Sequence, residues 1–131
     1  MEPTADAAAP TDAPVPAPVE PVIDLDHLAH MTLGEADLEA EVLTLFDRQA
    51  AILLTRMRDA PPAAVAAFAH TLKGSARGVG AWRVAEAADA VEMQANHSNG
   101  GGPVDAVAKL AAAVAEAKAV IADRLQPLTA L

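Results

Sequence analysis

Phe46, Phe68 and Trp82 are the only aromatic side chains in a 131-residue chain whose residues are 53% hydrophobic. An interior with so little aromatic bulk must be assembled from Ala, Leu, Val, Ile and Met. Alanine and leucine are strong helix formers, and small side chains let helices approach closely. Few stretches alternate apolar and polar residues with the two-residue period of a half-buried strand. The expectation is an all-α protein, and the length suits one domain with one core.

Proline and glycine punctuate the helices. Residues 1–21 hold six of the ten prolines with little apolar bulk between them. Proline fixes φ and removes a backbone donor, so a disordered or polyproline-like tail is expected there. Residues 22–131 would form the domain. A short helix is expected from about Asp24, carrying Leu25, Leu28 and Met31 and capped by Asp24 or Asp26. Thr32 and Glu35 have the spacing of a capping box. A long helix should follow to about Arg58, with Leu38, Val42, Leu45, Ile52, Leu53 and Met57 as its apolar stripe and Phe46 at one edge. Pro61 and Pro62 suit the first turn of a third helix running to the Gly78–Gly80 region. A fourth begins near Ala81 and ends before HSNGGGP. A fifth begins at Pro103, another first-turn proline, and ends before Pro127. Short connections make successive helices antiparallel neighbours. The predicted fold is an up-down-up-down four-helix bundle with a short extra N-terminal helix. The stripes can be satisfied within one chain, so a monomer is expected.

Charge narrows the partners. The net charge is −9 and the sequence pI about 4.6. That argues against general nucleic-acid binding, which needs cations to replace counterions along the phosphates. The excess acid lies in the first half: residues 1–23 carry four acids and no base, and residues 24–60 eight acids and three bases. There are no cysteines, which excludes disulfides and thiolate metal sites. No apolar run is long enough for a membrane span, and the N-terminus lacks the basic and apolar regions of a signal peptide. A cytoplasmic location is the resulting expectation.

Against this background the stretch AHTLKGSARGVGA, Ala69 to Ala81, stands out. On a helical wheel centred on Leu72, Val65, Phe68, Ala69, Ala76 and Val79 fall within roughly 60° and form the core stripe. His70, Lys73, Gly74 and Arg77 fall at roughly 100–200°, on the solvent side. His70 meets Lys73 and Gly74 at helix-neighbour spacings. A mid-helix glycine costs about 1 kcal/mol against alanine, which this chain uses freely elsewhere. Its absence of side chain opens the surface beside the imidazole to another macromolecule. Neighbouring cations disfavour imidazolium, leave the ring nucleophilic, and would stabilise an anion attached to it. Those are the needs of a transient phosphoryl carrier.

The segment AHTLKGSARGVGAWRVAEAADAVE, Ala69 to Glu92, resembles the signature of the histidine-containing phosphotransfer (HPt) family of bacterial phosphorelays. His70, Lys73, Gly74, Ser75 and Gly80 follow that pattern, and the resemblance extends over about residues 22–126. It implies a phosphoryl group on Nε2 of His70, exchanged with receiver-domain aspartates of response regulators or hybrid histidine kinases. Lys73 and Gly74 would serve the acceptor directly. Ser75, Arg77, Gly78 and Glu92 would stabilise the phosphoryl group or form the docking face, with help from the first two helices. The protein would be a carrier and not an enzyme. It would have no cofactor of its own, the receiver supplying Mg²⁺ and the acidic pocket. Phosphoryl transfer depends on positioning and charge neutralisation, which agrees with such a division of labour. Many relatives have an amide where this chain has Glu92. A carboxylate there can accept from Nδ1–H and fix the tautomer, or pair with solvent-facing neighbours.

Other features read more plainly. His27 and His30 are three apart on the first helix, a spacing that could share a metal, but no nearby third ligand is evident. His97 is a favourable charge at a helix C-terminus. LKGS lacks the strand and upstream glycines of a phosphate-binding loop. Trp82 reads as a packing anchor. No nucleophile–base–orienter set points to a hydrolase. The alternative function is a helical interaction module of the same fold without phosphotransfer.

Overall fold

The computed structural model describes residues 21–97 and 103–126. The expected tail over residues 1–20 and most of the HSNGGGP loop lie outside them. Five helices follow one another: α1 (Leu25–Met31), α2 (Ala36–Met57), α3 (Pro62–Val79), α4 (Trp82–Asn96) and α5 (Val104–Leu125). The all-α expectation holds. α2 to α5 form a four-helix bundle in which α3 packs most extensively on α4, α4 on α5, and α2 on both α3 and α5; α1 lies against α3.

The core is aliphatic, as the shortage of aromatics requires. Leu28, Leu43, Leu72, Val84, Val91 and Leu110 are fully buried, with Phe46 as the buried aromatic. Alanines do much of the close work: Ala69 and Ala76 on α3 and Ala88 on α4 have no exposed surface. Interhelical ion pairs fix the register of α5, through Arg124–Glu39 and Lys118–Asp47 to α2 and Arg83–Glu116 to α4. The Glu39 carboxylate beside Arg124 holds that guanidinium above its ordinary value.

The stripe of α2 differs from expectation. Its buried residues are Leu43, Phe46, Ala50, Leu53 and Met57, spaced by three and four. Leu45 and Ile52 are exposed. On the wheel they sit roughly 100–120° from Phe46, beyond the stripe. Their apolar character belongs to the protein surface.

The helix ends also refine the sequence reading. Asp24 is the N-cap of α1 and accepts the His27 amide at 3.1 Å. Thr32 does not cap α2: it closes α1, buried, with its hydroxyl donating to the Leu28 carbonyl at 2.8 Å. Glu35 takes the N-cap of α2 without a side-chain hydrogen bond. The turn between them uses φ +56° at Leu33 and +73° at Gly34. Pro62 opens α3 as expected, whereas Pro103 stands at the N-cap of α5, just ahead of its first turn.

Gly80 ends α3 in the left-handed region at φ +81°. The Ala81 amide reaches back to Ala76 O at 2.8 Å, the Schellman arrangement. The same glycine seats α1. The Asp24 amide donates to Gly80 O at 2.9 Å, and a Cβ on residue 80 would stand 2.9 Å from the Asp24 carbonyl oxygen. Asp24 then accepts Trp82 Nε1–H at 3.0 Å, and the His27 ring packs on Trp82 with centroids 4.9 Å apart. Hydrogen bonds, that from Trp82 foremost, hold the Asp24 carboxyl below its ordinary value. One residue thus joins α1, the end of α3 and the start of α4.

Two glycine substitutions should separate these roles. Gly80→Ala is expected to lose at least about 1–2 kcal/mol, from the left-handed backbone alone. Gly74→Ala, in a helix interior where a Cβ meets nothing within 4 Å, is expected to gain about 0.5–1 kcal/mol. Urea denaturation of both variants checks the pair.

Candidate functional site

α3 lies between α2 and α4, and its outer surface is left uncovered. His70, Gly74 and Arg77 are exposed in succession along it, with Gly78 half-exposed beyond. His70 has 68% of its side chain accessible. A Cβ at Gly74 or at Gly78 would meet nothing within 4 Å. Neither glycine is therefore needed for packing inside this chain. What their absent side chains provide is room above the helix, on the turn after the imidazole.

Lys73 departs from the solvent-facing position that the wheel gave it. Its side chain is only 15% accessible and lies against α4. Nζ donates to Glu92 Oε1 at 2.8 Å and to Asp89 Oδ1 at 3.0 Å. The cause is the closeness of α4, which covers the flank of α3 that carries Ala66, Ala69 and Lys73. Arg77, by contrast, is exposed and makes no ion pair among the described residues. Ser75 turns the other way, its hydroxyl donating to Gln49 Oε1 on α2 at 2.6 Å.

Glu92 joins both groups that the sequence left as alternatives. Its Oε2 is 3.0 Å from His70 Nδ1 while its Oε1 holds Lys73. The carboxyl is kept below its ordinary value of 4.5, chiefly by the hydrogen bond from Lys73, with His70 adding to it against partial desolvation. In return Glu92, and after it Asp89, keeps the Lys73 ammonium above its ordinary value of 10.5. An ionised carboxylate can only accept, so whenever the ring carries a single proton the hydrogen-bond network assigns it to Nδ1. The lone pair then lies on Nε2, the nitrogen turned away from Glu92. The charge nearest the imidazole is therefore an anion, and the cation behind it acts through that anion.

Asp89 escaped the sequence reading. Its signal was present: it precedes Glu92 by three residues and shares its helix face. The groove beside His70 escaped it too. Leu45, Arg48, Gln49, Ile52 and Arg56 of α2 face Phe68 and Thr71 of α3 across an open groove of about 700 Å³. Among the described residues no group of three or more His, Asp or Glu could hold a metal ion, and no helix is long and apolar enough to cross a membrane.

Comparison with known proteins accords with this geometry. The family model of the Hpt domain matches residues 36–121, more than half of the chain. The X-ray structure of a rice protein, provisionally assigned as a histidine-containing phosphotransfer protein, is similar with a TM-score of 0.71 at 21% identity. The match covers 80% of each chain. At that identity the likeness is one of fold. No curated protein matches the chain.

The network has two measurable consequences. Long-range ¹H–¹⁵N spectra of the imidazole should give the Nδ1–H tautomer in the wild type, and Glu92→Ala should shift the population toward Nε2–H. A group whose folded value is depressed contributes stability above its unfolded value and loses it as pH falls through the folded one. The denaturation midpoint should therefore fall below about pH 4.5 more steeply in the wild type than in Lys73→Met.

Proposed function

The chain belongs to the Hpt domain family, and on that premise we propose that His70 is the phosphoacceptor of a phosphorelay, taking a phosphoryl group from one receiver-domain aspartate and yielding it to another. A general role in histidine phosphotransfer comes with the family. The assignment to His70 is carried by one observation: an exposed imidazole whose Nδ1 is engaged by Glu92 and whose Nε2 is free, beside helix surface cleared by Gly74.

In the forward step the Nε2 lone pair attacks the phosphorus of an aspartyl phosphate. The N–P bond forms, the P–O bond breaks, and the aspartate leaves as a carboxylate. No proton has to move. The ring becomes an N-phosphorylated imidazolium that keeps its Nδ1–H, and the Glu92 carboxylate faces the new positive charge at hydrogen-bond distance. In the return step the second receiver's carboxylate attacks phosphorus. The N–P electron pair goes back to Nε2, and the neutral Nδ1–H ring is restored. Glu92 and Lys73 are thus positioning residues, with Asp89 holding Lys73 in place. Arg77 is the exposed cation on the same strip.

This chain offers no metal-ligand cluster of its own among the described residues. The Mg²⁺ and the acidic pocket belong to the receiver under this reading, and the protein is a carrier. The docking face comprises the outer strip of α3 and the adjoining groove with α2. Exposed Leu45 and Ile52 supply apolar contact there, and Arg48 and Arg56 complement an acidic partner. A location in the cytoplasm and a monomeric state fit this role.

A phosphorylated receiver domain from the same cell should label the protein with an acid-labile, alkali-stable phosphoryl group. His70→Ala should abolish the label while leaving the circular dichroism spectrum unchanged. Label retained in that variant moves the acceptor elsewhere. Gly74→Leu should slow transfer by at least about tenfold through misplacement of the docked receiver, whereas an unchanged rate removes the strip from the docking face.

A further inference from the structure

The cations of this acidic protein are not spread evenly. Residues 36–47 of α2 carry Asp37, Glu39, Glu41 and Asp47 and no base, while residues 48–58 carry Arg48, Arg56 and Arg58 and no acid. Lys73, Arg83, Lys118 and Arg124 are each engaged by carboxylates. Among the described residues Arg48, Arg56, Arg58, Arg77 and Lys109 form no ion pair; of these Arg48 and Arg56 line the α2–α3 groove and Arg77 stands on the exposed strip of α3 with His70. Between the first two runs an apolar floor of Leu45, Ile52, Leu53 and Phe68. The groove thus has apolar and cationic lining, and Thr71, the residue after His70, is part of its α3 wall.

The chain carries a segment of matching chemistry. Residues 1–20 contain Glu2, Asp6, Asp12 and Glu20 and no lysine or arginine. Val15 and Val19 stand among Pro14, Pro16 and Pro18. Proline restricts the backbone before binding, so less entropy is lost when such a segment is held extended in a groove. We propose that this acidic, proline-rich N-terminal segment docks in the α2–α3 groove beside His70 and competes there with receiver domains. The regulation rests on the reading of that face as the receiver-docking surface.

Reach and charge both permit it. The segment joins the fold at Pro21, and Asp24 is tied to Gly80 at the C-terminal end of α3. From Gly80 back to Thr71 the helix runs about 14 Å, and passing over one helix adds about 10 Å. Residues 14–20, extended at about 3.1 Å each, span about 22 Å, and the residues before them add the remainder. The acidic half of α2 repels the segment and the basic half attracts it, which places it over Arg48 and Arg56. Attraction between exposed charges weakens with salt, so the docked state is ionic-strength dependent.

The chain has no cysteine, so Ala13→Cys in the full-length protein accepts a single nitroxide. The amides of Leu45, Ile52 and Thr71 should lose most of their intensity relative to the reduced label, while Ala106 and Lys109 on the α4–α5 face keep theirs. Neutralising the segment by Glu2→Gln, Asp6→Asn, Asp12→Asn and Glu20→Gln should remove the broadening and raise the rate of receiver-to-His70 transfer several-fold. Broadening that is absent, or uniform over the surface, overturns the proposal. So does broadening seen between labelled and ¹⁵N-enriched molecules in a mixture, which would give the groove to a second copy. Normal transfer without selective broadening refutes the docked segment alone. Selective broadening without transfer from any receiver refutes the phosphorelay reading, and with it the competition.

Discussion

The contact between α3 and α4 is what the rest of the site depends on. Alanines at 69, 76 and 88 are without exposed surface at the centre of the bundle, and side chains of that size let two helices lie close. Closeness carries Glu92 and Asp89 of α4 within 3.0 Å of groups on α3. A bulkier interface would leave His70, Lys73 and the two carboxylates to water. Salt bridges between solvated side chains contribute little to stability. The importance of this one lies in orientation: it fixes which ring nitrogen carries hydrogen and which one is presented to a partner. The alanine-rich, aromatic-poor composition is thus linked to the chemistry through interhelical distance.

Much of the architecture was legible because its signals are local. Prolines at 61, 62 and 103 and glycine at 80 mark helix boundaries through local backbone geometry. The core stripe of α3 followed from period alone: Val65, Ala69, Leu72, Ala76 and Val79 are buried, whereas Phe68 at its edge is half-buried and lines the groove against α2. Period counting failed where apolar residues exceeded what the core could take. Leu45 and Ile52 are hydrophobic but lie off the line through Phe46, Leu53 and Met57, and they are exposed. The capping role given to Thr32 failed for a different reason. A buried threonine can satisfy its hydroxyl within the preceding helix, and here the Leu28 carbonyl won.

The site was legible in its residues and not in its contacts. The spacing of His70, Gly74 and Arg77 placed them together on an exposed strip, as found. That Lys73 turns from this strip to α4 depends on which helix lies on which flank, and a wheel for one helix cannot contain that. Glu92 was visible as an oddity, a carboxylate where an amide is common. Its simultaneous hold on His70 and Lys73 needs two oxygens and two donors within a few ångströms, so only the folded chain could supply it.

The sole indole of the protein sits at the joint made by Asp24, Gly80 and His27. Its ring nitrogen donates to the residue that caps α1, and its face meets an imidazole from the same short helix. Any event that lifts α1 away must break that bond and uncover more of the half-buried ring. The molecule therefore contains its own optical gauge: with no second tryptophan and no tyrosine to blur it, the emission of Trp82 reports on the joint where α1 meets the end of α3 and the start of α4.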